Sequence, residues 1–520
     1  MNYQPTKSES GSNSPTILPA GKSAGVGMHF VSLPGAHGIG DIGDSALAFI
    51  DTLSSMKIRV WQFLPTGPTA YGDSPYQPLS VFAGNEMLIG IDPLIRQGLL
   101  TSSEAEVLTG LSSESVDYGN LIPVKHALLV KAAGRFSAMA SDETKSAFEA
   151  FLHLHDSRWL GDYAVYRILK TMHGERPWPE WDKAYVHREQ AAMQKVRESN
   201  REAIKQIKII QFLFNRQWQA LKRYASEKGV FLFGDMPIYI ALDSADAWAH
   251  PEIILIDKDG KPSHISGVPP DYFSADGQLW GNPLYDWKFH ESNGYQWWIE
   301  RMQHAANLSD LVRIDHFRGF ESFWSVQFGA ETAREGEWLP GPRDALFDAM
   351  QAALGSLPIV AEDLGVITPE VDGLRHRHEL PGMKVLQFVV GDPSFNLDDI
   401  EYNCVCYTGT HDNDTTLGWF LGGDEDTRPE QEIIENQQSA LKVTGGTRET
   451  IHLDMIRLAF NSPARLAIAP MQDFLGLGSD FRLNIPGTTM DNWRWRATED
   501  QLSPKFCKSV AELVEETSRS

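Results

Sequence analysis

Short apolar runs recur along the chain and predict β-strands. They lie at residues 25–33, 59–64, 230–233, 311–314, 359–361, 383–388, 405–408 and 466–468. Helical periodicity fills several of the intervals, for example 44–56, 343–354 and 369–378. Eight strands that alternate with helices are typical of a parallel (β/α)₈ barrel, the TIM barrel of the α/β class.

The chain is longer than a minimal barrel of about 250 residues. From 101 to 228 it shows helical periodicity and many charges, with few strand signals. We therefore predict a catalytic barrel over 18–500 that contains a helical insertion over 101–228. Residues 1–17 are polar and predict a disordered N-terminal tail, and 501–520 predict a C-terminal tail or helix. The stretch after the eighth strand is too short for a C-terminal β-sandwich of about 100 residues.

Three of the predicted strands lead into a carboxylate. Asp315 follows the run 311–314, Glu362 follows 359–361, and Asp412 lies in the turn after 405–408. The carboxyl ends of parallel barrel strands meet at one mouth, so we expect these three acids to lie together. Paired carboxylates at such a mouth indicate chemistry on glycosidic bonds, with one acting as nucleophile and another as general acid.

Neighbouring residues suggest a role for each acid. Arg313 is two positions from Asp315 on a strand, so both side chains project to the same face, where the guanidinium favours a charged carboxylate. The apolar run before Glu362 is expected to raise its pKa and keep a proton for the leaving oxygen. His411 and Asp412 lie in a polar turn and are expected to bind sugar hydroxyls in the transition state. The residues leave open whether the glycosyl group passes to water or to another sugar.

Loops rich in aromatic and polar residues support a sugar substrate, because aromatic rings offer apolar faces to the C–H side of a pyranose. These residues are Tyr71 and Tyr76 in one loop, Asp271, Tyr272 and Phe273 in a second, and Trp280 among turn residues of a third.

The charge of the chain narrows the possible partners. Forty-six basic and 69 acidic residues give a formal net charge of -23, which repels phosphate backbones and anionic lipid surfaces. We therefore expect no nucleic-acid partner and no membrane association, whereas a neutral polymer is unaffected. No apolar run reaches the 18 or so residues of a membrane-spanning helix. The three cysteines fit a reducing compartment, which predicts a cytoplasmic protein.

Three other interpretations are less favoured. GIGDIG (38–43) matches a dinucleotide-binding fingerprint, but that fingerprint needs an acid about 20 residues on, where the chain reads WQFLP (61–65). His153 with His155 and His376 with His378 lack the spacing of a zinc site. A glucan-binding scaffold without turnover would not need three converging acids.

Eight long motifs carry a resemblance to a known family. They are GPTAYGDSPYQ (67–77), GDMPIYIALDSADAW (234–248), GVPPDYFSADGQLWGNPLY (267–285), VRIDHFRGF (312–320), AEDLGVITPEV (361–371), PGMKVLQF (381–388), YTGTHDNDTTLGW (407–419) and PMQDFLGLGSDFRLNIPGT (470–488). The chain closely resembles the 4-α-glucanotransferases, also called amylomaltases or disproportionating enzymes, of glycoside hydrolase family 77. The similarity runs from about Leu18 to Arg496.

The resemblance implies an α-amylase-type barrel with helical insertions and no C-terminal β-sandwich. It implies retaining transfer of α-1,4-glucan segments from a maltodextrin to the 4-hydroxyl of glucose or another glucan, with no cofactor and no metal. An α-amylase-like glucan hydrolase is the alternative. The host compartment would be the cytoplasm, or the plastid stroma in a plant or alga.

The resemblance also assigns roles residue by residue. Asp315 resembles the family's nucleophile, Glu362 its acid/base and Asp412 its transition-state stabiliser. The implied glucan contacts and site partners are Tyr76, Asp243, Asp271, Tyr272, Phe273, Trp280, Arg313 and His411. Tyr71 falls where some members have a second glucan site. Asp491 departs from the family pattern, since it stands where members typically have glycine.

Overall fold

The structure, a computed structural model, describes residues 18–270, 276–423 and 426–520, and at Tyr71 it describes the backbone alone. The predicted tail over 1–17 lies outside these residues. So do Asp271, Tyr272 and Phe273.

Eight parallel strands form the barrel that the sequence predicts. Along the chain, the strands of the described residues are β1 Ser23–Gly27, β2 Val60–Gln62, β3 Phe231–Pro237, β4 His264–Val268, β5 Gln278–Pro283, β6 Leu311–Asp315, β7 Ser322–Gln327, β8 Glu337–Pro340, β9 Ile359–Ala361, β10 Gly382–Val385, β11 Cys404–Tyr407 and β12 Leu466–Pro470. The barrel order is β10-β11-β12-β1-β2-β3-β6-β9. A backbone hydrogen bond of 2.8 Å from Ala361 to the carbonyl of Pro381 joins β9 to the start of β10. The fold-class prediction is confirmed.

The barrel strands are apolar on both faces because both faces are buried. One cluster fills the barrel interior and includes Val60, Phe233, Leu311, Val405 and Ile468, all at most 1% exposed. Residues of the opposite face pack against the surrounding helices. This two-sided burial explains why the strands appear in the sequence as short continuous apolar runs.

Three of the predicted strands extend at least two residues too far at their carboxyl ends, and 59–64 is one of them, because β2 ends at Gln62. Residues 30–32 form a 3₁₀ turn after β1, and Leu386–Val389 form a short helix after β10. Apolar residues continue past β1 because the chain remains buried after it leaves the sheet, whereas after β10 Leu386 is buried and Phe388 is exposed. Phe30, for example, is fully buried against Trp61 and Trp218.

Helices surround the barrel and fill the interval between β2 and β3. They are α1 Asp44–Ser55, α2 Ile91–Arg96, α3 Ser102–Ala105, α4 Tyr118–Met139, α5 Asp142–His155, α6 Gly161–Met172, α7 Lys183–Val186, α8 Gln190–Ser199, α9 Arg201–Glu227, α10 Ala245–Ala249, α11 Trp287–Ser292, α12 Gln296–Leu308, α13 Asp344–Leu354, α14 Pro369–Arg377, α15 Leu386–Val389, α16 Thr416–Leu421, α17 Glu430–Thr444, α18 Ile451–Asn461, α19 Met471–Leu475 and α20 Pro504–Glu516. Across the described ranges, no helix is both long and apolar enough to cross a membrane.

The sequence did not predict a second, antiparallel sheet. Its strand order is β5-β4-β7-β8. Along the chain, β4 and β5 precede β6, and β7 and β8 follow it. Its strands contain glycines, prolines and charged residues, and a bulge interrupts β4 near Ile265 and Gly267, so the periodic signal is weak. Trp280, which we expected among turn residues, belongs to β5.

Arg519 binds backbone carbonyls at the amino-terminal end of the barrel. Its side chain is fully buried and donates to the carbonyls of Ser462 at 2.9 Å, Ala464 at 2.8 Å and Ser23 at 3.2 Å, as well as to Phe460. Ser23 begins β1, and the other three residues lie just before β12. Burial lowers the pKa of Arg519 to about 10. One guanidinium therefore satisfies four carbonyls where the chain enters two adjacent strands.

We predict that Arg519→Ala destabilises the protein, because the carbonyls of Ser23, Phe460 and Ala464 lose this donor at about 1 kcal/mol each, the lower end of the range for a buried unsatisfied group. The Ser462 carbonyl keeps Lys22 Nζ at 2.7 Å. Urea denaturation should show a loss of about 3 kcal/mol in the free energy of unfolding. Arg223→Ala, at an exposed position of α9, is the matched control and should change it by less than about 0.5 kcal/mol. Equal midpoints for the two variants would contradict this role of Arg519.

Candidate active site

The three predicted acids lie at the carboxyl mouth of the barrel. Asp315 is the last residue of β6, Glu362 directly follows β9, and Asp412 lies in the turn after β11. β6 and β9 pair in parallel with Ile314 opposite Ala361, so the first two acids leave neighbouring strands at the same level. The strand register thus brings together residues that are far apart in the chain.

Arg313 binds two carboxylates at once. Its guanidinium donates to both oxygens of Asp235, at 2.9 and 2.7 Å, and to Oδ1 of Asp315 at 2.7 Å. Asp235 lies directly opposite Arg313 on the neighbouring strand β3. The Arg313 side chain is only 5% exposed, whereas that of Asp315 is 31% exposed. Arg313 therefore fixes the orientation of Asp315 and leaves part of its carboxylate open to the mouth.

Tyr76 extends this network. Its hydroxyl donates to Oδ2 of Asp235 at 2.8 Å, and its ring stacks on His411 with centroids 5.1 Å apart. Burial raises the pKa of Asp235, and the charge of Arg313 opposes that rise. Tyr76 thus links the Arg313 cluster to the turn that carries Asp412.

Glu362 is buried and accepts two backbone hydrogen bonds. The N–H of His316 donates to Oε2 at 2.7 Å and the N–H of Leu364 donates to Oε1 at 2.8 Å. Burial raises the pKa of Glu362 to about 7, although Arg313 acts in the opposite direction. A carboxyl group with this pKa exchanges its proton near neutral pH, as a general acid and base must.

Asp412 has the opposite protonation behaviour. His411 Nε2 lies 3.2 Å from Oδ2, and the amide of Asn484 donates to Oδ1 at 2.6 Å. Burial alone would raise the pKa of Asp412, but the charge and hydrogen bond of His411 and the bond from Asn484 hold it well below its usual range. Asp412 is therefore an anion at neutral pH.

Trp280 stands beside the residue that holds Glu362. Its ring meets the His316 ring edge-to-face, with centroids 4.7 Å apart, and its N–H donates to Gln278 at 3.2 Å. Gln77, next to Tyr76, donates to the Trp280 carbonyl at 3.4 Å. Trp280 thus joins the loop of Tyr76 to the surroundings of Glu362.

Asp243 is held by the helices between β2 and β3. Its carboxylate accepts hydrogen bonds from the Tyr166 hydroxyl at 2.7 Å, from Lys170 Nζ at 2.5 Å and from the Trp178 N–H at 3.2 Å. The side chain is 27% exposed, so one part of it faces solvent. The suggested glucan contact at Asp243 stays a prediction.

The residues of the less favoured interpretations have structural roles. A Cβ at Gly40 would lie 2.0 Å from the carbonyl oxygen of Phe30, so GIGDIG needs this glycine for packing. His378 lies 3.0 Å from Asp344, and His376 lies 3.4 Å from Glu401. In the part of the chain that the structure describes, no three His, Cys, Asp or Glu side chains are grouped to hold a metal ion.

Sequence reasoning missed three participants, namely Asp235, His316 and Asn484. Asp235 could have been found, because it stands on a strand whose neighbour carries Arg313. His316 acts through its backbone N–H in a left-handed conformation, with φ 56°, and no side-chain pattern reveals such a role. Asn484 comes from a remote loop and reaches Asp412 only in the folded chain.

The arrangement supplies three chemically different carboxyl groups. One is fixed by a buried arginine, one exchanges its proton near pH 7, and one remains an anion. This set can protonate a leaving oxygen, attack a carbon and stabilise positive charge that develops between them.

Comparisons with known proteins agree with this chemistry. The 4-alpha-glucanotransferase family model matches residues 28–502. A 4-alpha-glucanotransferase of Synechocystis sp. is 45% identical over 489 residues, which are 93% of this chain and 95% of the relative. A chloroplastic/amyloplastic 4-alpha-glucanotransferase of Oryza sativa subsp. japonica is 41% identical over 500 residues, 94% of this chain and 82% of the relative.

A solved structure is similar to this chain as well. The amylomaltase from Streptococcus agalactiae in complex with acarbose superposes with a TM-score of 0.90 at 36% identity, covering 96% of this chain and 100% of that one. With a family match that spans most of its length, the chain belongs to the 4-α-glucanotransferase family, glycoside hydrolase family 77.

Proposed function

We propose that this 4-α-glucanotransferase works by a retaining double displacement in which Asp315 is the nucleophile and Glu362 the acid/base. In the first half, the Glu362 carboxyl protonates the glycosidic oxygen, the C1–O bond breaks, and an Asp315 oxygen bonds to C1. The reducing-end part of the donor leaves as an alcohol with a free 4-hydroxyl.

In the second half, the Glu362 carboxylate takes the proton of an acceptor 4-hydroxyl. The acceptor oxygen bonds to C1 and the bond between C1 and Asp315 breaks. Two inversions at C1 retain the α configuration. Asp412 stays an anion throughout and stabilises the oxocarbenium-like charge, while His411 and Asp412 bind sugar hydroxyls.

One observation carries this assignment, namely the contrast between Asp315 and Glu362. Asp315 accepts a hydrogen bond from a buried guanidinium, whereas Glu362 accepts only neutral N–H bonds and has its pKa raised to about 7. These different environments support Asp315 as the nucleophile and Glu362 as the acid.

For substrates, we propose maltooligosaccharides, amylose, glycogen or starch as donors, and glucose or a glucan as acceptor. The amylomaltase from S. agalactiae was solved in complex with acarbose, which supports a sugar ligand for this chain as well. Tyr76, Trp280, Arg313 and His411 would contact it, together with Asp243, Asp271, Tyr272 and Phe273.

We further propose a single catalytic unit over 18–500 with the helical insertion 101–228, and a cytoplasmic location. The three cysteines are buried and unpaired, which supports a reducing compartment. The rice relative is named a chloroplastic/amyloplastic enzyme, which supports a plastid location if the host is a plant or alga.

Maltotriose as the sole substrate tests transfer against hydrolysis. We predict longer maltodextrins and glucose, with no increase in reducing ends, because each cleaved bond is matched by a new one. Product lengths by chromatography and a reducing-end assay measure the two quantities. A steady rise in reducing ends would favour the α-amylase-like hydrolase instead.

Variants with an activated donor separate the two catalytic roles. Asp315→Asn should lower turnover of maltotriose at least about 10³-fold and should also fail with α-maltotriosyl fluoride, because no nucleophile is present. Glu362→Gln should fail with maltotriose yet release about one equivalent of fluoride per enzyme from the activated donor, since fluoride leaves without a proton. Further release should be slow, because the second half-reaction lacks its base. Asp348→Asn, exposed on α13, is the control and should match the unmodified enzyme. Fluoride release by Asp315→Asn at the normal rate would remove the nucleophile assignment.

The pKa of Glu362, about 7, predicts the alkaline side of the pH profile. The first half-reaction needs the protonated acid, so kcat/KM for maltotriose should fall about tenfold per pH unit above pH 7. Fluoride release from α-maltotriosyl fluoride needs no acid and should show no such decline up to about pH 9. A parallel decline for both donors would show that a group other than Glu362 sets the profile.

A further inference from the structure

A second concave site lies outside the barrel mouth. This cleft of about 320 Å³ runs between the end of α5, α6 and the segment α10–α12. We call it the outer cleft and define it by Phe82, Trp159, Asp246, Trp297 and Glu300. Its volume is within the range of about 300–1,000 Å³ typical of small-molecule sites. Asp315, Glu362 and Asp412 do not contribute to its wall.

The aromatic residues Phe82, Trp159 and Trp297 line the outer cleft, and the ring of His304, outside its lining, connects two of them. Phe82 meets Trp297 at 6.2 Å and His304 at 5.4 Å between ring centroids, and Trp159 meets His304 at 6.4 Å. Burial lowers the pKa of His304 to about 4, so this ring is neutral at neutral pH. The ring that connects Phe82 and Trp159 is therefore uncharged at neutral pH.

A π-helical turn presents Trp159 at the cleft. Residues Asp156–Leu160 form this turn between α5 and α6. Such turns interrupt a helix at an energetic cost and occur frequently at functional sites. The Trp159 N–H donates to His155 Nδ1 at 3.2 Å, which fixes the indole ring. Lys208 binds Asp156 at 2.5 Å, which fixes the start of the turn.

The rim of the outer cleft combines donors and acceptors. Glu300 accepts a hydrogen bond of 2.7 Å from Gln296 and is partly exposed. Asn293 is exposed beside it. Arg158 is exposed as well. A carboxylate, two amides and a guanidinium are the groups that bind adjacent hydroxyls of a sugar.

The charges of the cleft favour a neutral ligand. Asp162 is paired with Arg188 at 2.8 Å, and Glu252 with His250 at 3.2 Å. Burial raises the pKa of Asp246, whose carboxylate also accepts the N–H of Val81 at 2.9 Å. At the rim, Glu300 and Arg158 carry opposite charges, so their contributions to the binding of an anion or a cation oppose each other. A neutral polyhydroxyl ligand fits both the rim and the aromatic lining.

We propose that the outer cleft binds a segment of α-glucan chain at a distance from the catalytic acids. The proposal rests on the proposed function, since it takes its ligand from the enzyme's substrate class. Residues 80–82 continue the loop of Tyr76, and the bond from Val81 to Asp246 ties that loop to the cleft. A long glucan held there has a raised effective concentration at the mouth, whereas maltotriose is too short to benefit.

Binding to an inactive protein tests the proposal. In an Asp315→Asn background, maltoheptaose is titrated by calorimetry into the double variant Arg158→Ala/Glu300→Ala and into the control Arg201→Ala/Glu202→Ala, which changes two exposed residues of α9. The cleft variant should bind one maltoheptaose fewer than the control. With Asp315 restored, it should transfer from maltotriose within twofold of the control but act on subsaturating amylose at least threefold more slowly.

Each result has a separate meaning. Equal numbers of sites and equal affinities in the two double variants overturn the outer-cleft proposal, while normal transfer from maltotriose leaves the proposed function intact. Failure of the unmodified enzyme to redistribute maltotriose overturns the proposed function instead. Binding of spermidine that disappears with Arg158→Ala/Glu300→Ala would assign the cleft to amines and overturn its glucan role.

Discussion

The buried guanidinium of Arg313 is the contact on which the site depends. It is almost inaccessible to water, so it needs anionic partners, and the two that it has come from adjacent strands. Removal of one partner from such a buried pair costs about 3–5 kcal/mol, because an uncompensated charge remains. Asp235 supplies the structural half of the pairing with both of its oxygens. Asp315 binds Arg313 through one oxygen, and in the proposed mechanism it reacts through the carboxylate that this bond orients.

The same mouth gives Glu362 and Asp412 opposite properties through their hydrogen-bond partners. Glu362 accepts only backbone N–H groups, which carry no net charge and cannot offset its burial. Asp412 lies beside His411, whose pKa is raised by Asp412 in spite of its burial, and it also binds Asn484. Neither acid could exchange roles with the other without a change of partners. Division of labour between carboxyl groups is thus a property of their surroundings.

Much of this architecture could be predicted from the sequence, because parallel barrel strands are buried on both faces and appear as continuous apolar runs. The acids Asp315 and Glu362 follow from those runs directly. Asp412 required the recognition of a polar turn. Asn484, in contrast, meets Asp412 through a loop whose path depends on tertiary packing. The antiparallel sheet escaped prediction because partly exposed strands with glycine, proline and a bulge have no strong period.

His316 connects Glu362 to Trp280. Its backbone N–H orients Glu362, and its ring lies against Trp280. The left-handed conformation of His316 is unfavourable for a residue with a side chain, so contacts on both sides must maintain it. Under the proposed function, a sugar that stacks on Trp280 would also contact the surroundings of His316. The proposed glucan contact at Trp280 and the orientation of Glu362 would then be connected through one residue, His316.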